Sequence, residues 1–179
     1  DIFDKSDDAS FNGIDHIPEA FCFLVVGHWL SGDATHDRKD LSGTIQTFIH
    51  TFKGRDVKPA MVLKTSTATL SVTDREQILQ RVRSIQAQSG IPLDNQPNIY
   101  LLHGDLTAEE MNGLYNHKKI KAMVSLTHGE GFGRPLLEFS VTGKPIVATD
   151  WSGHVDFLGT HTFKVPGTIQ PVHSSALMK

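Results

Sequence analysis

The sequence predicts an α/β domain in which a parallel sheet carries helices on both faces. From residue 21 onward, short apolar runs of strand length alternate with amphipathic runs of helical period, the order that yields parallel strands joined by helical crossovers. The length of 179 residues and a hydrophobic share of 39% suit one globular core. Charged residues make up 21% and no low-complexity run occurs, which excludes collagenous, coiled-coil and largely disordered chains.

The acidic segment 1–20 comes first, with Asp1, Asp4, Asp7, Asp8, Asp15 and Glu19 against Lys5 alone. It reads as an interdomain linker, and its polar start without Met reads as a piece of a longer polypeptide. Residues 21–26 form the first expected strand. This run holds the single cysteine, Cys22, so no intrachain disulfide can form, and a buried inert thiol in a reducing compartment is the simplest reading. The run is far too short to span a bilayer and no cationic leader precedes it, so the expectation is a soluble cytoplasmic protein, able to work at the cytoplasmic face of a membrane.

Residues 30–37 are polar and irregular, a loop near whatever binds there. Leu41, Ile45, Phe48, Ile49 and Phe52 then repeat with the spacing of a helix packed on a sheet, with Asp40 as N-cap. Further strands are expected at 60–64, 99–102, 122–126 and 146–149. Two capping boxes announce helices between them: Thr73 with Glu76, ahead of Ile78, Val82 and Ile85, and Thr107 with Glu110, ahead of Met111, Leu114 and Tyr115. Pro135 is expected as the first residue of a fourth helix that ends near Thr142-Gly143. Ser152 is expected to cap a short fifth through Val155 and Leu158. The domain thus runs from 21 to 165, with an irregular tail at 166–179.

The net charge of −3 excludes a strongly cationic nucleic-acid binder but leaves room for a local phosphate site. The stretch His128-Gly129-Glu130-Gly131-Phe132-Gly133-Arg134-Pro135 follows a strand and opens a helix, where backbone amides point at a ligand. A tight turn that needs glycine for backbone reasons is the alternative. Three glycines in five residues before a helix-starting proline favour an anion site. Glu130 and Glu138 bracket the loop and would repel phosphate, so they suit hydroxyl pairs of a sugar or ribose. Glu138 could equally serve the helix dipole. Arg38 and Lys39 end the polar loop at the same edge of the sheet and suit a diphosphate, or else form a solvated surface couple. Arg134 and Lys64 are further cation candidates, whereas Lys118, Lys119 and Lys121 read as surface charge at the opposite end.

Other chemistries fail on spacing. No two of the ten histidines lie within four positions, and one cysteine cannot build a thiolate site, so no metal is expected. No G-x-S-x-G elbow and no complete Walker loop occurs. A dinucleotide fingerprint comes closest through Gly129, Gly131 and Asp150, but Arg134 takes the third glycine's place.

The run Glu130-Gly131-Phe132-Gly133-Arg134-Pro135-Leu136-Leu137-Glu138, followed by Gly143-Lys144-Pro145-Ile146-Val147-Ala148-Thr149, resembles the carboxyl-terminal domain of retaining family 4 glycosyltransferases. The resemblance extends from Phe23-Leu24-Val25-Val26-Gly27 through the helix start at Asp105-Leu106-Thr107 to Ser152-Gly153-His154. It implies one Rossmann-like half of a GT-B enzyme that moves a sugar, of hexose type, from a nucleoside diphosphate sugar to an unknown acceptor without a metal or other cofactor. An amino-terminal Rossmann-like domain would complete the cleft, and the isolated fragment would be inactive. By the same resemblance Glu130 would hold the transferring sugar, the amides of Gly131, Phe132 and Gly133 a phosphate, Glu138 the ribose, and Lys39 with Arg38 the diphosphate. His103 lies in the loop that would meet the base. The family places Arg directly after the glycine of the first strand, where His28 stands here, so either Arg38 or a protonated His28 would supply that cation, with a core or loop role for His28 as the alternative. A non-catalytic nucleotide-sugar module and a dinucleotide-dependent oxidoreductase are the alternatives.

Overall fold

The computed structural model describes residues 3–6, 9–30, 37–67, 70–169 and 171. Six strands, β1 (Cys22–Val26), β2 (Ala60–Lys64), β3 (Ile99–Leu102), β4 (Ile120–Ser125), β5 (Ile146–Thr149) and β6 (Thr162–Val165), make one sheet in the order β3-β2-β1-β4-β5-β6. Every neighbouring pair is parallel. The helices are α1 (Leu41–Phe52), α2 (Val72–Gln88), α3 (Ala108–Asn116) and α4 (Arg134–Ser140).

Alternation along the strands sorts the core into two layers. Leu24, Ala60 and Val62 face Leu114 and Tyr115 of α3 and Leu136 and Phe139 of α4. Val25, Met61 and Leu63 face the other way, onto Ile45, Phe48 and Ile49 of α1 and Ile78, Val82 and Ile85 of α2. Each such side chain contributes about 1.5–3 kcal/mol when fully buried, so the two stripes hold the helices to the sheet. Cys22 is fully buried; burial first, and Glu19 second, push its thiol up to about 11, the behaviour of an inert group.

Helix starts follow local chemistry, with corrections. Asp40 caps α1, accepting from the Gly43 amide at 3.2 Å, and the buried Asp37 adds a bond from the Leu41 amide at 2.7 Å. The Thr107–Glu110 capping box forms in full at α3. At α2 the expected Thr73–Glu76 box does not form: the helix begins earlier, Ser71 accepts from the Asp74 amide at 3.1 Å, and Glu76 pairs with Arg75. Pro135 stands second in α4, after Arg134, with Gly133 as N-cap at φ 86°. The fourth strand starts at Ile120, and the sequence reading missed β6 altogether. The fifth helix is only a 3-10 turn, Gly153–Asp156, and the Ser152 side chain does not cap it.

The described residues of the segment expected as a linker lie against the domain. Ile14 and Ile17 are buried in the α3 and α4 layer. Asn112 Nδ2 donates to Asp4 at 3.0 Å, Tyr100 donates to Glu19 at 3.1 Å, and His117 pairs with Asp15 at 3.0 Å. Lys119, read from sequence as surface charge, donates to the carbonyls of Asp15, at 2.7 Å, and Ile17. Among the described residues no helix is long and apolar enough to cross a membrane. Most of the polar loop at 30–37 and of the tail from 166 lies outside the described residues.

Candidate functional site

Strand order reverses between β1 and β4, so their following loops part and leave a crevice at the carboxyl edge. The loop from β1 returns with Asp37, Arg38 and Lys39; the loop from β4 carries the glycines. The two are sewn together through backbone carbonyls. The His128 amide donates to the Arg38 carbonyl at 2.9 Å, the Thr127 hydroxyl donates to the same oxygen at 2.9 Å, and Arg38 Nη1 donates to the Gly129 carbonyl at 2.5 Å.

Over this seam the Lys39 ammonium meets the Glu130 carboxylate, with Arg38 Nη1 at 3.5 Å. Burial pushes the Glu130 carboxyl up, but the bond and charge of Lys39, with those of Arg38, outweigh it and hold the group below its ordinary value. Lys39 is itself placed by Asp37, which accepts its amide at 3.1 Å, and its stem runs 3.3 Å from where a Cβ on Gly27 would stand. The expected cations and the expected sugar-binding carboxylate therefore share one site.

The glycine turn is held from the next loop. Ser152 Oγ donates to the Glu130 carbonyl at 2.5 Å and accepts from the Glu130 amide at 2.9 Å, while the Gly153 amide donates to the same carbonyl at 3.0 Å. The amides of Gly131, Phe132 and Gly133 donate to no described residue, which leaves them available to an anion. Phe132 is exposed and meets Phe157 in a tilted contact with ring centroids 5.4 Å apart.

Glu138 sits deeper. Its carboxylate accepts from the Tyr115 hydroxyl at 3.0 Å and from Arg134 Nε at 2.7 Å. Arg134, expected as a phosphate ligand, is thus engaged with Glu138 while most of its side chain stays in solvent. His28 Nδ1 is hydrogen-bonded to Ser66 Oγ at 3.0 Å. The ring of His103 turns inward and donates from Nε2 to Asp74 at 2.7 Å. Burial would raise the Asp74 carboxyl, yet bonds from Thr67 and His103 leave it lowered. Lys64 donates to the Gly104 carbonyl at 2.6 Å; burial pulls its ammonium down and Asp105 opposes that. Asp150 pairs with Lys164 at 3.1 Å.

Sequence reasoning gave no site role to three residues that shape this site: Asp37, Tyr115, read as part of a helical stripe, and Ser152, read as a helix cap. Tyr115 carried a signal, since a tyrosine in an apolar helical stripe needs a partner for its hydroxyl. Asp37 and Ser152 act through contacts that no local pattern announces.

The fold is that of the carboxyl-terminal domains of GT-B glycosyltransferases. The carboxyl-terminal domain of a glycosyl transferase group 1 family protein (LpcC) from Francisella tularensis superposes with a TM-score of 0.62 over 91% of this chain and 77% of that one, at 19% identity. HepE from Anabaena, solved in complex with UDP and glucose, gives 0.53 over 98% of this chain and 42% of its own, at 15% identity. Sucrose-phosphate synthase from Thermosynechococcus elongatus gives 0.54 over 85% and 33%, at 16% identity. The chain therefore spans well under half the length of the two larger proteins. No known family profile matches the sequence, and no curated protein does.

Proposed function

We propose that this chain is the donor-binding domain of a retaining glycosyltransferase of family 4, which transfers a hexosyl group from a nucleoside diphosphate sugar without a metal. The observation that carries the reading is the convergence of Arg38 and Lys39 with Glu130 beside free glycine amides at the sheet's switch point. The diphosphate would draw Lys39 and Arg38, the amides of Gly131, Phe132 and Gly133 would take its oxygens, and Glu138 would accept from the ribose hydroxyls. Glu130, released by Lys39, would then accept from the sugar hydroxyls. The backbone of the loop that carries His103, at Gly104, would border the base while the His103 ring stays turned to Asp74, and His28 would border the diphosphate.

In this reading catalysis is positioning plus stabilisation of the departing diphosphate and an oxocarbenium-like carbon, with configuration retained. A second Rossmann-like domain would close the cleft and recognise the acceptor, so this chain alone should bind donor and turn over little, in a cytoplasmic setting. Dinucleotide chemistry draws less support, because the glycine turn follows β4 rather than β1 and Asp150 is paired with Lys164.

The test is thermal stabilisation by UDP, GDP, ADP, CMP and NAD. A ligand at ~100 times its dissociation constant adds about 2.7 kcal/mol. Stabilisation by one nucleoside diphosphate that disappears in Glu138→Ala supports the reading, and preferential stabilisation by NAD would overturn it.

A further inference from the structure

Ser152 has backbone angles of φ 83° and ψ −177°, a region that glycine enters freely and residues with a Cβ avoid. Strain of this kind persists only where surrounding contacts enforce it. Here the side-chain contacts that enforce it both run to one residue, Glu130, which lies 22 positions earlier in the chain, while the Ser152 carbonyl accepts locally from the Val155 amide at 3.1 Å.

The hydroxyl of Ser152 occupies both the amide and the carbonyl of Glu130, and the neighbouring Gly153 amide takes a second bond to that carbonyl. Approach of the two backbones is close enough that a Cβ on Gly153 would lie 2.0 Å from the Gly131 carbonyl oxygen. The peptide of Glu130 is therefore fixed from one side by Ser152 and Gly153, and its carboxylate from the other by Lys39 and Arg38. A helix cap would have been the local use of this hydroxyl, and the side chain makes none.

We infer that Ser152 is a positioning residue that clamps the backbone of Glu130 and so aims its carboxylate at the sugar of the donor. The inference rests on the donor-binding reading above. A hydroxyl that merely stabilised the fold would affect every ligand alike; one that aims Glu130 changes recognition of the sugar and leaves that of the nucleotide as it was.

The test compares the unaltered chain with Ser152→Ala and Ser152→Gly. Titrations of UDP-glucose against UDP, GDP-mannose against GDP and ADP-glucose against ADP give, for the pair that binds, a ratio of sugar-nucleotide to nucleotide affinity. The expected result is a ratio lowered about tenfold in both variants. Ser152→Gly, which relieves the strained backbone, should melt no lower than the unaltered chain while losing the same discrimination. In a Glu130→Ala background the serine substitution should no longer change the ratio, because the residue it acts through is gone. An unchanged ratio in variants that bind the nucleotide normally overturns the inference alone. Failure of the unaltered chain to bind any of the six ligands overturns the donor reading and this inference with it.

Discussion

The Lys39 ammonium rests against the Glu130 carboxylate, although 91 positions separate the two in the chain. Their side chains are only 14% and 13% exposed, so water screens the pair weakly. The contact exists because the loops after β1 and β4 part at the switch point and turn back toward each other above it.

That pairing sets a pH dependence. The folded-state pKa of Glu130 is held below its ordinary 4.5, so the carboxylate favours the folded state above the unfolded value, and this contribution is lost as pH falls through the folded one. Lys39→Met should raise the carboxyl's titration midpoint followed by NMR, since burial then acts with only Arg38 to oppose it. A midpoint that stays in place would show that Lys39 does not control this group.

Tyr115→Phe should remove the hydroxyl that donates to Glu138 and leave Arg134 as that carboxylate's only partner among the described residues. A hydrogen bond to a charged group is worth about 1.5–3 kcal/mol, which urea unfolding would register. If Glu138 reads the ribose, affinity for the ribonucleotide should fall about tenfold and that for its 2′,3′-dideoxy analogue should change little.

Asp37→Ala would deprive the amides of Lys39 and Leu41 of their acceptor at the start of α1. The expected loss is about 1–2 kcal/mol, typical of a cap, read from the denaturant midpoint. If Lys39 holds the diphosphate, nucleoside diphosphate affinity should fall as well, because the same carboxylate places Lys39.

Gly153→Ala pushes a methyl group onto the Gly131 carbonyl, and neither backbone can yield easily. Overpacking of this kind costs about 1–3 kcal/mol or more, so the melting temperature should drop by several degrees. A variant as stable as the parent would show that the loops after β4 and β5 do not touch as described.

Lys144 donates to the carbonyls of Tyr115 at 2.7 Å and His117 at 3.0 Å, and burial, with Lys121 adding, pulls its pKa down from 10.5 to about 8. Between those values the unfolded chain binds more protons than the folded one, so this group makes stability rise as pH increases from about 8 towards 10.5. In Lys144→Met that rise should vanish when urea midpoints are compared at neutral and alkaline pH.

The sequence by itself determined what depends on near neighbours: the alternation of strands and helices, the stripe of α1 with its Asp40 cap, and the Thr107–Glu110 box of α3. Periodicity and caps are local, so they survive in one dimension. Glu130, Glu138 and the glycines were legible for the same reason, as a contiguous run. Tertiary structure decided the rest. Ser71 and Asp74 started α2 in place of Thr73 and Glu76, because Asp74 is also held by Thr67 and by His103, 29 positions away. The strand β6 exists by pairing with β5 and buries little, so its four residues carry no strong apolar signal. Ser152 gave up a helix cap for two bonds to Glu130, and Lys39 gave up solvent for its carboxylate. Such choices are made between loops that only the closed order of the sheet brings within reach, and their energies are absent until it has formed.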